Sequence, residues 1–174
     1  MARIIDRIYD KWRYASVALR LIAVNSAVFL ALRIAAAANI FTGDRSTEQA
    51  ALRLVELPAD MSQFLARPWT IVTYMFAQFD VFHFIFNMLW LYWFGLLLAE
   101  ILPSRRTLGL YLGAGLVGGL TFMAGSALLP GLPEGGVLIG SSASVLAIVT
   151  ATALLMPDRE IGLLFIGGVK LKWV

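Results

Sequence analysis

The stretch VFHFIFNMLWLYWFGLLLA, residues 81–99, decides how this chain is read. It is long enough to cross a bilayer, because about 20 apolar residues in helical form span about 30 Å of hydrocarbon. Near its start it carries His83 and Asn87, four residues apart and therefore on one helix face, a turn from each other. Polar side chains inside a span are costly, at least about 2.5 kcal/mol for a central charge, so each one raises a functional hypothesis. The bland reading is a polar pair that hydrogen-bonds a neighbouring helix and fixes packing. This span alone does not separate the two.

The rest of the 174 residues supports a membrane setting. The chain is 60% hydrophobic and 14% charged, with mean hydropathy +0.80, whereas soluble domains are about 45–50% apolar and about 25% charged. Further apolar runs at about 16–38, 107–129 and 137–156 predict four spans in all, a polytopic all-α bundle. The charged head MARIIDRIYDKWRYAS has no small-residue cleavage site at the expected distance, so the first span reads as retained. Arg3, Arg7, Lys11, Arg13 and Arg20, with Arg105, Arg106, Arg159, Lys170 and Lys172, outweigh the Arg45, Arg53 and Arg67 of the long loop. That bias predicts a multi-pass protein of the cell membrane with residues 1–15 cytoplasmic, an outer loop over 39–80 and a cytoplasmic loop over 157–172. The net charge of +3 follows from this asymmetry and from anionic headgroups, so the lipid bilayer is the expected partner and nucleic acid is not. With no cysteine, disulfide and thiolate chemistry are excluded.

Packing motifs are also legible. Ala23, Ala27, Ala31 and Ala35 form a stripe expected to receive a neighbouring helix, and Gly115-x-x-x-Gly119 predicts a close crossing. The outer loop mixes apolar and charged residues as short interfacial helices do, with Trp69 at an interface position. Asp80 and Glu100 bracket the second span as expected caps or partners of loop arginines, and Arg20 and Arg33 are expected to snorkel to opposite interfaces. Near the C-terminus a hairpin-like loop is expected, with Gly167-Gly168 as its turn.

The fourth span opens within VLIGSSASVLAIV, residues 137–149. Serine at a helix start is more often a cap or a small packing residue than a nucleophile. Here, however, the second and fourth spans both start on the outer side, so Ser142 can meet His83 and Asn87 at similar depth. A serine hydroxyl attacks a carbonyl only with a base nearby and donors aligned on the oxyanion. Residue chemistry alone makes Ser142 the nucleophile, His83 the base and Asn87 an oxyanion donor, and composition leaves that assignment open. Ser141 is read as a helix-start spacer. Ser144 points about 200° away from Ser142 on a helix and is read as a packing residue that bonds to its own helix or a neighbour.

Two stretches resemble one family. HFIFNMLWLYWFG is similar to the His-x-x-x-Asn second helix of rhomboid intramembrane serine proteases, and GSSA at 140–143 resembles their Gly-x-Ser-Gly nucleophile motif. The order of parts agrees: an outer loop with ARPWTIVTYMF, the His helix, a Gly-rich helix, then the serine helix. The resemblance covers about residues 60–174 and implies six helices, of which about four are present. It assigns Ser142 as nucleophile and His83 and Asn87, with the serine's backbone N–H, to the oxyanion hole; the base in the family is a histidine on the sixth helix. It also implies transmembrane-helix substrates and neither metal nor organic cofactor. The sequence departs from the pattern at Ala143, at Thr70 after Trp69, and at Gln78, where a second histidine is often found.

No histidine follows Ser142. The sequence is accordingly expected to be the N-terminal portion of a rhomboid-type serine endopeptidase, cut before the helix that carries the base and inactive in this form. The alternative is a catalytically inactive relative that binds membrane clients. A channel or transporter is disfavoured, because the other spans offer few intramembrane charges to line a pathway.

Overall fold

The computed structural model describes residues 15–129, 135–163 and 167–173. The charged head and most of the Pro130–Gly136 turn lie outside the described residues. Three helices are long and apolar enough to cross a membrane: α1 (Val17–Thr42), α5 (Val81–Ile101) and α6 (Ser104–Leu128). Between α1 and α5 the loop folds into α2 (Ser46–Val55), β1 (Leu57–Pro58), α3 (Met61–Ala66), α4 (Thr70–Thr73) and a 3₁₀ turn, Tyr74–Phe76. After α6 come β2 (Val137–Leu138), α7 (Ser142–Leu155) and the antiparallel hairpin β3 (Glu160–Leu163) with β4 (Gly167–Lys170).

The fourth apolar run differs from its predicted span. Its helix has 14 residues, about 21 Å at 1.5 Å per residue, which is shorter than a bilayer core. Its first residues are spent otherwise: Val137 and Leu138 pair with Pro58 and Leu57 of the loop between α1 and α5, and Gly140 then turns the chain with φ 139°. That conformation is closed to residues with a Cβ. The serine helix therefore starts several residues after the apolar sequence begins, and the loop between α1 and α5 is tied directly to its approach.

Helix α7 lies at the centre, packed against both α5 and α6, while α1 packs on α5. On α6 the buried positions Thr107, Tyr111, Gly115, Gly119 and Met123 recur every four residues, so the glycines face the bundle as expected. A Cβ on Gly115 would lie 2.5 Å from the Met75 side chain, and one on Gly119 would lie 2.7 Å from Ile71 Cδ1. The Tyr74 hydroxyl donates to the Gly115 carbonyl at 2.5 Å, closing the same contact. On α7, the buried Thr152 hydroxyl shares its proton between the Ile148 carbonyl of its own helix at 2.7 Å and the Phe94 carbonyl of α5 at 3.2 Å, the latter a contact between helices.

The alanine stripe of α1 is a correction. Ala23, Ala27 and Ala31 are exposed, and the packed face is Ala18, Leu21, Asn25, Phe29 and Leu32. Bulk decides this: Phe29 stacks on Phe84 of α5 with centroids 4.1 Å apart. Arg33 lies over the Phe79 ring at 5.1 Å and donates to its carbonyl at 3.4 Å.

The loop helices are held by backbone carbonyls. Arg67 donates to Arg53 O at 2.6 Å and Trp69 Nε1 to Leu54 O at 3.1 Å. Thr70, the departure after Trp69, is buried and donates to Arg67 O at 2.7 Å. In the C-terminal hairpin Gly167 and Gly168 are strand residues paired with Leu163 and Gly162, so they are not the turn expected there; the turn itself lies outside the described residues. Arg159 bridges to Glu100 at the end of α5 at 3.4 Å, as the loop-arginine reading of Glu100 expects. The hydrogen bond and charge of Lys172, 2.9 Å away, hold the exposed Asp158 carboxyl below its usual range.

Candidate active site

Helix α5 begins with Asp80 as its N-cap, whose carboxylate accepts from the His83 backbone N–H at 2.7 Å. This fixes where the first turn starts and hence where His83 points. His83 occupies that first turn and Asn87 the next, on the side facing α7. Ser142 is the first residue of α7, immediately after Gly140 and Ser141. Gly140 is held from behind, its N–H bonding Tyr74 O at 3.0 Å, and a Cβ there would come within 3.1 Å of His83 Cε1. Only glycine lets the chain pass that close to the imidazole with this φ.

The three sequence-predicted residues meet. His83 Nε2 is 2.5 Å from Ser142 Oγ, and Asn87 Nδ2 is 3.5 Å from the same oxygen. His83 is exposed, Ser142 half-buried and Asn87 buried, so the cluster opens on one side and is sealed on the other. Helix α7 begins at it. Its N-terminal end has no side-chain cap and carries unpaired backbone N–H groups and a partial positive charge, which favour an anion. The serine's own N–H is among the four of α7 that no helical carbonyl can reach. Chemically the arrangement offers a hydroxyl, two side-chain groups able to donate to an oxyanion, and a preorganised positive field. Among the described residues no cluster of His, Asp, Glu or Cys has the makings of a metal site.

The other serines separate. Ser141 is fully buried at the N-cap position but makes no capping bond. Ser144 packs where α6 offers Gly115, whose added Cβ would lie 2.8 Å from its Oγ. Its expected hydrogen bond is not formed, since Ser144 Oγ is buried without a partner. Three residues that composition had not singled out for chemistry stand behind the site: Asn25, Gln78 and Tyr111. Gln78 accepts from Asn87 at 2.7 Å. The missed signal was Asn25, an amide in the middle of the first span, where a polar group needs a partner.

A serine, a histidine and an asparagine thus meet where α5 and α7 begin, inside an all-α membrane bundle. The Rhomboid domain profile matches residues 65–173, well over half the chain, and the chain belongs to the rhomboid family. A comparison with curated proteins finds no match.

Proposed function

We propose that this chain carries the nucleophile and the oxyanion-binding groups of a rhomboid-type intramembrane serine endopeptidase that cleaves transmembrane-helix substrates. Ser142 Oγ attacks the scissile carbonyl and passes its proton to the histidine that the family carries on a further helix, which returns it to the leaving amine as the C–N bond breaks. His83 Nε2–H and Asn87 Nδ2–H, with the Ser142 backbone N–H, stabilise the negative oxygen that forms. The observation that carries this reading is the convergence of His83 and Asn87 on Ser142 Oγ at 2.5 and 3.5 Å, from one face of one helix. Asn87 Nδ2 only donates, and a neutral imidazole nitrogen beside it that also donates completes a hole of matched polarity. The lysine and arginine distribution supports a cytoplasmic N-terminus, which puts the site toward the outer leaflet.

A second assignment is favoured by the same short contact: His83 Nε2, if unprotonated, takes the serine's proton and acts as base. One nitrogen cannot donate to the oxyanion and accept from the serine in the same step. The two assignments differ in outcome, because His83 is the sole histidine of these 174 residues.

The test offers a serine-reactive fluorophosphonate and a transmembrane reporter, in detergent, to the 174-residue chain and to the same chain continued through a further helix bearing a histidine. Labelling of Ser142 and reporter cleavage are expected only in the continued form. Labelling in the 174-residue form would make His83 the base. If the continued form neither labels nor cleaves, the client-binding reading replaces the protease.

A further inference from the structure

Behind Asn87 a file of buried amides runs to the first span. Asn87 is 7% exposed, Gln78 1%, and Asn25 and Tyr111 0%. Asn87 Nδ2 donates to Gln78 Oε1 at 2.7 Å, Gln78 Nε2 donates to Asn25 Oδ1 at 3.4 Å, and Asn25 Nδ2 donates to the Tyr111 hydroxyl at 3.0 Å and to Leu21 O at 2.8 Å. Tyr111 in turn donates to Met75 O at 2.9 Å. At its far end the file stops on two backbone carbonyls, Leu21 O and Met75 O, which only accept.

That fact sets the direction of the whole file. Leu21 O requires the amino side of Asn25, so the Asn25 oxygen faces Gln78. An oxygen there requires the amino side of Gln78, so the Gln78 oxygen faces Asn87 and takes one of its two N–H groups. The remaining N–H of Asn87 is left for the oxygen beside it at Ser142. An inverted Asn87 amide would set oxygen against the Gln78 oxygen and present an acceptor, not a donor, to a developing negative charge.

We infer that Gln78 and Asn25 are positioning residues that fix the amide of Asn87 as a donor toward Ser142. The inference rests on the reading of Asn87 as an oxyanion donor, but its structural half can be read without catalysis. Asn25, Asn39 and Asn87 are the asparagines of the sequence, so the full chain labelled with ¹⁵N-asparagine in micelles gives few side-chain amide signals, assignable with Asn87→Ala and Asn39→Ala. The Asn87 amide is expected to show one slowly exchanging proton. Gln78→Leu, close in shape but without polar atoms, is expected to speed its exchange by about tenfold or more through freer local opening. Gln78→His is expected to retain the protection, since a neutral imidazole also accepts on one side and donates on the other. Gln78→Met, of similar length but with neither carbonyl oxygen nor N–H, is expected to lose it, because Asn87 then has no oxygen to donate to.

In the cleaving form, Gln78→Leu and Asn25→Leu are expected to lower kcat by about 10- to 100-fold with KM unchanged, as a misdirected catalytic group does, with recovery in Gln78→His. Unchanged Asn87 exchange in Gln78→Leu would overturn the positioning role. If exchange responds as expected but Asn87→Ala cleaves like the parent, the relay stands and the oxyanion reading of Asn87 fails. A Gln78→Leu chain that does not fold is recognised by its circular dichroism, and the contrast between Gln78→His and Gln78→Met then decides.

Discussion

Ser142→Ala is expected to abolish reporter cleavage in the form that cleaves, a loss on the order of 10⁶-fold in kcat, as removal of a serine nucleophile costs in an acyl-transfer site. Asn87→Ala is expected to fall between that and the parent, with kcat lower by about 10²–10³-fold, the usual cost of one oxyanion donor. The ordering matters more than either value. Ser142 supplies the bond-forming atom, whereas Asn87 supplies one of several donors, and the α7 end and the Ser142 N–H remain when it is removed. Because Asn87→Ala also leaves Gln78 Oε1 unsatisfied in a dry interior, about 1–3 kcal/mol of stability should go with it. KM separates the two effects: a lost oxyanion donor leaves it unchanged, since the interaction strengthens only in the transition state. Reporter cleavage followed over a range of substrate densities in proteoliposomes measures both. Equal kcat for Asn87→Ala and parent would remove Asn87 from the chemistry.

A large effect on folding is expected at Gly118, where α6 meets α7. A Cβ there would lie 2.7 Å from Ala143 Cβ and 3.2 Å from the Tyr74 hydroxyl. Ala143 has no rotamer to change, so relief must come from moving α7 as a body. Gly118→Ala is expected to cost about 1–3 kcal/mol, the range for overpacking, and Gly118→Leu more. Ala143 is the neighbour of Ser142, so the displacement also opens the contact with His83. Gly109 on the same helix has nothing within 4 Å of its added Cβ, and Gly109→Ala is expected to be neutral within about 0.5 kcal/mol. Unfolding in mixed detergent micelles measures both. Similar losses at the two positions would mean that the α6–α7 crossing is not the close contact described.

Much of the site was legible because its chemistry leaves a local mark. His83 and Asn87 are four apart, and Ser142 follows Gly140 at a fixed spacing; both survive as pattern whatever the helices do. Which side of a helix faces the bundle leaves no such mark in a membrane, since lipid and core are equally apolar. Ala23, Ala27 and Ala31 therefore read as a packing stripe although Phe29 and Leu32 hold the buried side. Apolar character likewise carried the predicted fourth span back to residue 137, where strand pairing with Leu57 and Pro58 takes over. The loop glycines Gly167 and Gly168 were misread for a related reason: glycine permits a turn without requiring one, and here both sit in a strand. Gln78 was visible only as a departure from a family pattern. Its meaning depends on Asn25, 53 residues earlier, a pairing that only the folded chain brings together.

The proton on His83 Nε2 separates donor from base, and it can be observed directly. With one histidine in the sequence, ¹⁵N-histidine labelling gives a single imidazole, and its two ring nitrogens report which one is protonated. At neutral pH the neutral ring is expected to carry its proton on Nε2, seen as a one-bond coupling on that nitrogen, with Nδ1 bare. A bare Nε2 facing Ser142, with the proton on Nδ1, would contradict the oxyanion assignment and make His83 the acceptor of the serine's proton.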